Sequence, residues 1–365
     1  MAYTVLHCLA RMNRGGAETM IMNIFRHIDR KKYRFCFLLI EEDCDYKDEI
    51  MEYGGIIYTI PTRSKGIVRY CRALDSFFGE HEGKFDAIHY HTSSLSSLEV
   101  LYYARKHGIK TRVIHSHNTV QSGLVHNILH WINKPLIGML ATDWLACSKV
   151  ASDWLYKYTG VMKKAFVINN GIDLNRFAYD KSFRKEIRQK HDIPEGALVI
   201  GHVGRFDEVK NHKFLLEIFS EFLKIHPEAV LVCVGRGILF DEVVGMVRDK
   251  GLERKVIFAG LQSEIYKYLS AFDYFVFPSL YEGLPVALVE AQASGVMTIC
   301  SDAVSPESRL SDYLSFRSLN DTAESWAEYM GSIEFLDRTE APSQIREKGY
   351  GIDSTVAFLT ENVYL

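Results

Sequence analysis

The feature that most constrains this chain is an alternation of strand-like and helix-like segments that runs twice. Apolar, β-branched or aromatic runs stand at "YTVLHCL" (3–9), "RFCFLLI" (34–40), "GIIYTI" (55–60), "FDAIHYH" (85–91), "TRVIHS" (111–116), "WLACS" (144–148) and "AFVINN" (165–170). Helical patterns lie between them, as at 17–28, 66–79 and 94–107. A polar stretch, "NGIDLNRFAYDKS" (170–182), interrupts the pattern, which then restarts. The second set reads "LVIGHVGR" (198–205), "AVLVCVG" (229–235), "KVIFAG" (255–260), "DYFVFPS" (273–279) and "VMTIC" (296–300). Strands that are apolar along their whole length and spaced by helices belong to parallel sheets covered on both faces. The restart therefore predicts an α/β chain of two doubly wound, Rossmann-like domains facing a cleft. The expected boundaries are 1–175 and 176–345. A helical closing region follows residue 310, and its last stretch, 346–365, either completes the second sheet or crosses back to the first domain.

Length and composition agree with that picture. A chain of 365 residues fits two domains, and 47% hydrophobic with 24% charged residues is ordinary for a globular protein. No apolar run approaches the ~18 residues that cross a bilayer. The start, "MAYTVLHCLARMNRGG", lacks the basic segment and cleavage site of a secretory signal. The seven cysteines are scattered, odd in number and without a C-x-x-C, which suits a reducing cytoplasm. Residues 1–175 carry 22 Lys+Arg against 17 Asp+Glu, a balance of +5. Residues 176–365 carry 21 against 29, a balance of −8, and the sum returns the net −3. This asymmetry points the first half at an anionic surface such as lipid head groups or phosphates. Nothing in the charge pattern suggests nucleic acid.

Doubly wound sheets bind ligands at the carboxyl ends of their strands. After the first strand comes "RMNRGGAETMIMNIF", where Gly15 and Gly16 open a helix and let backbone N–H groups approach an anion. A G-x-G-x-x-G is absent, so a dinucleotide fingerprint is not supported. In the second half, "GHVGRFDEVKNHKFLLEIF" puts Arg205 at a strand end and Lys210 just before a helix, two cations suited to a diphosphate. "VGRG" (234–237) is a further glycine turn. Then "FPSLYEGLPVALVEAQASG" places Glu282 in a loop before a helix, with Pro285 at its start, Glu290 on its second turn and Gly295 at its stop. The N–H groups of Gly283 and Leu284 face whatever occupies the cleft.

Taken together, Gly-Gly-x-Glu (15–18), "NNGID" (169–173), "GRF" with "KN" (204–206, 210–211) and "PSLYEGLPVALVEAQASG" resemble a family 4 glycosyltransferase of the GT-B fold. The resemblance runs from the first strand to about residue 310 and is to bacterial enzymes of capsule, exopolysaccharide and lipopolysaccharide assembly. It implies a hexosyltransferase that moves a sugar, with retention, from a nucleotide-sugar such as a UDP-sugar to a saccharide or lipid-linked saccharide. It implies no metal and no cofactor. By the same resemblance Glu290 receives the ribose hydroxyls, Glu282 the ring hydroxyls of the sugar, and Arg205 and Lys210 the diphosphate. Gly16, Gly283 and Leu284 add backbone donors, and His117 is the active-site histidine beside the sugar. The glycine turn carries Arg236 where many relatives have an acidic residue.

"HYH" (89–91) and "HSH" (115–117) each end a predicted strand, and i, i+2 pairs share one face. Two such pairs on neighbouring strands could approach a zinc site or simply line the cleft as satisfied polar residues. No carboxylate is predicted beneath the anomeric carbon, and the resemblance implies that the leaving phosphate takes the acceptor's proton on the same face. A GT-B sugar-nucleotide epimerase and a non-catalytic partner subunit are the alternatives. The segment "TRSKGIVRYCRAL" (62–74) interleaves Arg63, Lys65, Arg69 and Arg72 with apolar residues. With Arg105, Lys106, Lys110 and Arg112 it suggests peripheral contact with the inner face of the plasma membrane.

Overall fold

The computed structural model describes residues 2–41, 44–117 and 123–365. The chain divides into two compact units, 1–171 with 352–365, and 172–351. The change of unit falls a few residues before the expected 175, and the closing segment starts at Ile352 rather than 346.

The first unit is built on β1 (Tyr3–Leu9), β2 (Tyr33–Leu39), β3 (Ile56–Thr59), β4 (Ala87–Thr92), β5 (Thr111–Ser116), β6 (Asp143–Ala146) and β7 (Phe166–Val167). Their order is β3-β2-β1-β4-β5-β6-β7, and every pairing is parallel. Side chains of one parity (Leu6, Cys8, Leu38, Ile88, Ile114) enter the core on one face. Those of the other parity (Val5, Phe35, Phe37, Ala87, Val113) enter the core on the opposite face. Both faces exclude water, which is why these strands read as unbroken apolar runs. Strand β7 is shorter than "AFVINN" suggested: it lies at the sheet's edge with both residues exposed, and Asn169 and Asn170 have low strand propensity. The helix Ile352–Asn362 packs on the helix Gly16–His27, and its Thr355 hydroxyl donates to the Asn169 carbonyl at 3.1 Å.

The second unit contains β8 (Val199–Val203), β9 (Val230–Val234), β10 (Val256–Gly260), β11 (Tyr274–Phe277), β12 (Met297–Ser301) and β13 (Leu314–Arg317). The order is β10-β9-β8-β11-β12-β13, again all parallel. Strand β13 lies where a wholly helical region was expected. "LSFR" is short and only one of its residues is buried, so its periodicity is weak, and pairing with β12 is what makes it a strand. Among the described residues no helix is long and apolar enough to cross a membrane.

One polar network ties the second sheet to its flanking helix. The Asp273 carboxylate accepts from Arg184 Nη2 at 2.7 Å, from Arg188 Nη2 at 2.8 Å and from the Val199 N–H at 2.8 Å. The buried Arg188 also donates to the carbonyls of Pro194, Glu195 and Ala197. The amino ends of β8 and β11 and the helix Lys181–Lys190 are thus held by one carboxylate. Removing one partner of a buried ion pair costs about 3–5 kcal/mol, because the other charge stays uncompensated. Asp273→Asn is expected to lower stability by roughly that amount, read from urea unfolding. A change below about 1 kcal/mol would show that the network is not structural.

Candidate functional site

In the second unit the carboxyl ends of β8 and β9 meet backbone against backbone. Gly204 N–H donates to the Val234 carbonyl at 3.0 Å, Phe206 N–H to Arg236 at 3.1 Å and Leu239 N–H to Phe206 at 2.9 Å. Gly235 sits at φ +141, and a Cβ there would collide with the Gly204 carbonyl. A Cβ on Gly237 would likewise meet the backbone of Phe206. The "GR" and "VGRG" turns therefore need glycine for close approach of two chains, not only for a ligand.

This packing sends the two expected diphosphate cations to different partners. Arg205 projects outward, its side chain 70% exposed, with Asp207 at 3.6 Å. Arg236, next to it on the same edge, is also exposed and lies over Phe240. Lys210 turns inward: its Nζ donates to Glu282 Oε1 at 2.5 Å and lies 4.3 Å from the centre of the Phe277 ring. The pair is sheltered, at 14% and 20% side-chain exposure. Beneath it the buried rings of His202 and His212 pack at 4.8 Å. His202 donates from Nδ1 to the Val276 carbonyl, and burial lowers the His212 pKa to about 4. Neither histidine was singled out in the sequence, although "GHV" and "NHK" flank the motif that was.

The loop before the helix Val286–Ala293 is anchored at Glu282. Its carbonyl accepts from the Ser305 N–H at 3.0 Å, and Ser308 donates to the Gly283 carbonyl at 3.2 Å. Gly283 is exposed and Leu284 half-buried. Their amides precede the first helical hydrogen bond, from Leu288 N–H to the Pro285 carbonyl, so they stand at a helix N-terminus that favours anions. Glu290 is buried on the second turn, and Gly295, at φ +68, ends the helix left-handed. Structure therefore places Lys210, Glu282, Gly283, Leu284 and Glu290 on one sheet edge, with Arg205 outermost. A hollow of about 210 Å³ lined by Tyr179, Asp273, Met297 and Arg338 lies at the strands' amino ends instead. Its charged groups serve structural bonds, so it is not this site.

In the first unit Gly16 begins the helix after β1, with Gly15 as its cap. A Cβ on Gly15 would strike the Glu18 carboxylate. Close by in the fold, five histidines share one face of β1, β4 and β5. Four of them pair across strands in register, His7 with His89 and His91 with His115. His117 follows β5, its N–H bonded to the Thr92 carbonyl at 3.1 Å. The rings form two separate hydrogen-bonded chains. One runs His7 Nδ1 to His91 Nε2 at 2.9 Å, then His91 Nδ1 to His117 Nε2 at 2.8 Å. The other runs Tyr364 hydroxyl to His89 Nδ1 at 2.6 Å, then His89 Nε2 to His115 Nδ1 at 3.1 Å. Burial lowers every pKa in the set, that of His7 to about 3 and that of His117 to about 4, so the rings are neutral. Nitrogens of His7, His89 and His91, and of His91, His115 and His117, do lie within 4.8 Å of one another. His89 and His91 use both ring nitrogens in hydrogen bonds, so a metal taking either ring as a ligand would have to break one of them. His7 and Tyr364 were missed in the sequence. Strand parity was the available signal for His7, whereas nothing local marks Tyr364.

Comparison with known proteins adds the family. Residues 14–176 match the model of Glycosyltransferase Family 4, and residues 183–351 that of Glycosyl transferases group 1. The chain is 36% identical to the putative glycosyltransferase EpsF of Bacillus subtilis (strain 168), covering 99% of this chain and 96% of that one. It is 30% identical to the N-acetylgalactosamine-N,N'-diacetylbacillosaminyl-diphospho-undecaprenol 4-alpha-N-acetylgalactosaminyltransferase of Campylobacter jejuni, over 54% of this chain and 53% of that one. Among solved structures, HepE of Anabaena in complex with UDP and glucose superposes at a TM-score of 0.78. That match covers 98% of each chain at 17% identity.

The Lys210–Glu282 contact is open to a double-mutant cycle. Lys210→Met, Glu282→Gln and the double variant are expected to give a coupling energy between about 0.5 and 3 kcal/mol in urea unfolding. Strict additivity would mean that the two side chains do not meet in solution.

Proposed function

The chain belongs to the group 1, family 4 glycosyltransferases, and on that footing we propose that it moves a sugar, with retention, from a UDP-sugar to a saccharide or lipid-linked saccharide acceptor in surface polysaccharide synthesis. The first unit would hold the acceptor and the second the donor. The observation that carries the reading is the sheltered Lys210–Glu282 pair at the carboxyl edge of β8 and β11, beside the helix that bears Glu290. Lys210 is held by a carboxylate where a diphosphate would compete for its ammonium, and the exposed Arg205, now 3.6 Å from Asp207, would close from outside. Glu282 then accepts from the sugar's hydroxyls, and Glu290 from the ribose. As the sugar–phosphate bond breaks, charge grows on the leaving oxygen, and pre-positioned cations act most strongly there. No general base is nominated: the leaving phosphate takes the acceptor's proton, and the protein supplies position and electrostatics. The cations take the part that a metal would otherwise play, so the reaction is proposed to need none. HepE binds UDP, and the Campylobacter relative's name gives a diphospho-undecaprenol acceptor. Both support this choice of partners.

The test is nucleotide release from a panel of UDP-sugars, with and without a membrane extract, in excess chelator. Activity is expected to survive chelation. Lys210→Ala should lower turnover at least about tenfold. Glu290→Ala should weaken UDP binding, while Glu282→Ala should lose transfer yet still bind UDP. If both glutamate variants bind and transfer normally, or if donor alone is isomerised, the reading is wrong.

We propose further that the first unit rests on an anionic bilayer, where a lipid-linked acceptor is met. The helix Leu124–Asn133 exposes Leu124, Val125, Ile128, Trp131 and Ile132, with Leu124 at 76% and Trp131 at 52%. Leu136 and Met139 continue the apolar surface. From Val100 to Thr142 there is no Asp or Glu, against five Lys and Arg. The cations suggested by the sequence are not equal. Arg63 pairs with Glu99, Lys106 with Asp75, and Arg112 donates to three carbonyls. Lys65, Arg69, Arg72 and Lys110 are exposed, each worth about 1 kcal/mol at an anionic surface. Sedimentation with anionic vesicles at low salt should carry the protein down, with Trp131 fluorescence shifting to the blue, while neutral vesicles should not. Joint Arg69→Glu and Arg72→Glu should weaken binding at least about tenfold. Absence of anionic binding would remove the proposal.

A further inference from the structure

The first histidine chain has two ends of different character. His7 Nε2 has no hydrogen-bond partner among the described residues, and its ring lies against the fully buried Phe35 and Phe37, at 4.3 and 5.7 Å. His117 Nδ1, at the other end, has no partner among them either. Both nitrogens are themselves shielded from solvent, but the His117 ring as a whole is half-buried and stands just beyond the carboxyl end of β5, where ligands of such sheets bind.

Neutral imidazole carries one N–H, so the chain has two self-consistent protonation patterns. In the first, His7 Nδ1–H donates to His91 Nε2, His91 Nδ1–H donates to His117 Nε2, and His117 is left with an N–H on Nδ1. In the second every bond is reversed, and the unpaired N–H points from His7 Nε2 at the phenylalanine rings. Buried N–H groups without acceptors are rarer than bare acceptor atoms. The first pattern puts the bare lone pair in the aromatic wall and the unpaired donor at the end that meets ligand. The second chain makes no hydrogen bond to the first: His115 stacks on His117 at 4.3 Å, its Nδ1 is taken by His89, and its Nε2 has no partner among the described residues.

The geometry points to His7 and His91 as positioning residues that fix His117 in the Nδ1–H tautomer, so that it presents a hydrogen-bond donor to an oxygen of the bound sugar. Identification of that oxygen as the sugar's rests on the function proposed above; the tautomer itself does not. An imidazole held this way gives a directed donor without a charge. The nitrogen that donates is set by the bond the other nitrogen makes.

Nitrogen-15 NMR of histidine-labelled protein tests it, with the His117 signals assigned by their loss in His117→Gln. Wild type is expected to show Nδ1 as the protonated nitrogen and Nε2 as the bare one. His7→Phe fills the aromatic wall but leaves His91 Nε2 without a donor, and should mix the two tautomers at His117. His7→Asn puts an amide N–H where Nδ1 stood and should restore the single tautomer. Turnover should fall about tenfold in His7→Phe and recover in His7→Asn, with UDP affinity unchanged in both. A bare Nδ1 on His117 in wild type, or an unaltered tautomer in His7→Phe, overturns the proposal, and the wild-type spectrum decides even if a variant fails to fold. If the tautomers behave as stated but His117→Gln transfers sugar at the wild-type rate, the histidine chain stands and the placing of His117 beside the sugar falls.

Discussion

Burial of both sheets on both faces is the constraint from which the rest follows. Every strand in the middle of these sheets packs apolar side chains above and below, so an unpaired polar group inside would lose its water without replacement. Chemistry is thereby pushed to the carboxyl edges, where loops leave the sheet. Arg205, Lys210, Glu282 and the Gly283–Leu284 amides all stand there in the second unit. The histidines of the first unit are the exception that obeys the same rule: they lie inside, but each is hydrogen-bonded to another ring or to Tyr364.

Close approach of backbones gives the second edge its particular form. Because Gly204 and Gly235 let β8 and β9 end against each other, Arg205 and Arg236 leave the surface outward. Lys210, arriving through a short turn closed by Asn211 in the left-handed region, folds back over Phe277 to Glu282. In the function proposed above, Lys210 is already in place on Glu282 and the exposed Arg205 is the cation that would close. That arrangement suits a leaving group whose charge appears only as the reaction proceeds.

Much of the site was legible in the sequence because its signals are local. Pro285 before a helix, Gly295 after it and Glu290 one turn in are fixed by helix geometry within a dozen residues. Strand β13 was not legible, being short and thinly buried until β12 pairs with it. The partners of the two cations were not legible: proximity of 205 and 210 in the chain says nothing about side-chain direction, and in the fold Arg205 stands 3.6 Å from Asp207 while Lys210 donates to Glu282.

By itself, then, the sequence determined which segments are strands, β13 excepted, that they lie in two parallel sheets, and that Arg205 and Glu282 stand in loops, Lys210 just before a helix and Glu290 on a helix. Those facts follow from periodicity and from the backbone demands of glycine and proline, and both are properties of neighbouring residues. Only the tertiary structure decided that β1 lies between β2 and β4, and that the chain returns at Ile352 to set Tyr364 against His89. It alone joined His7, His91 and His117 into one chain. The reason is physical: these contacts bridge residues 26 to 275 positions apart, and it is the order of the strands in the sheet, settled by packing between distant segments, that brings them within reach of a hydrogen bond.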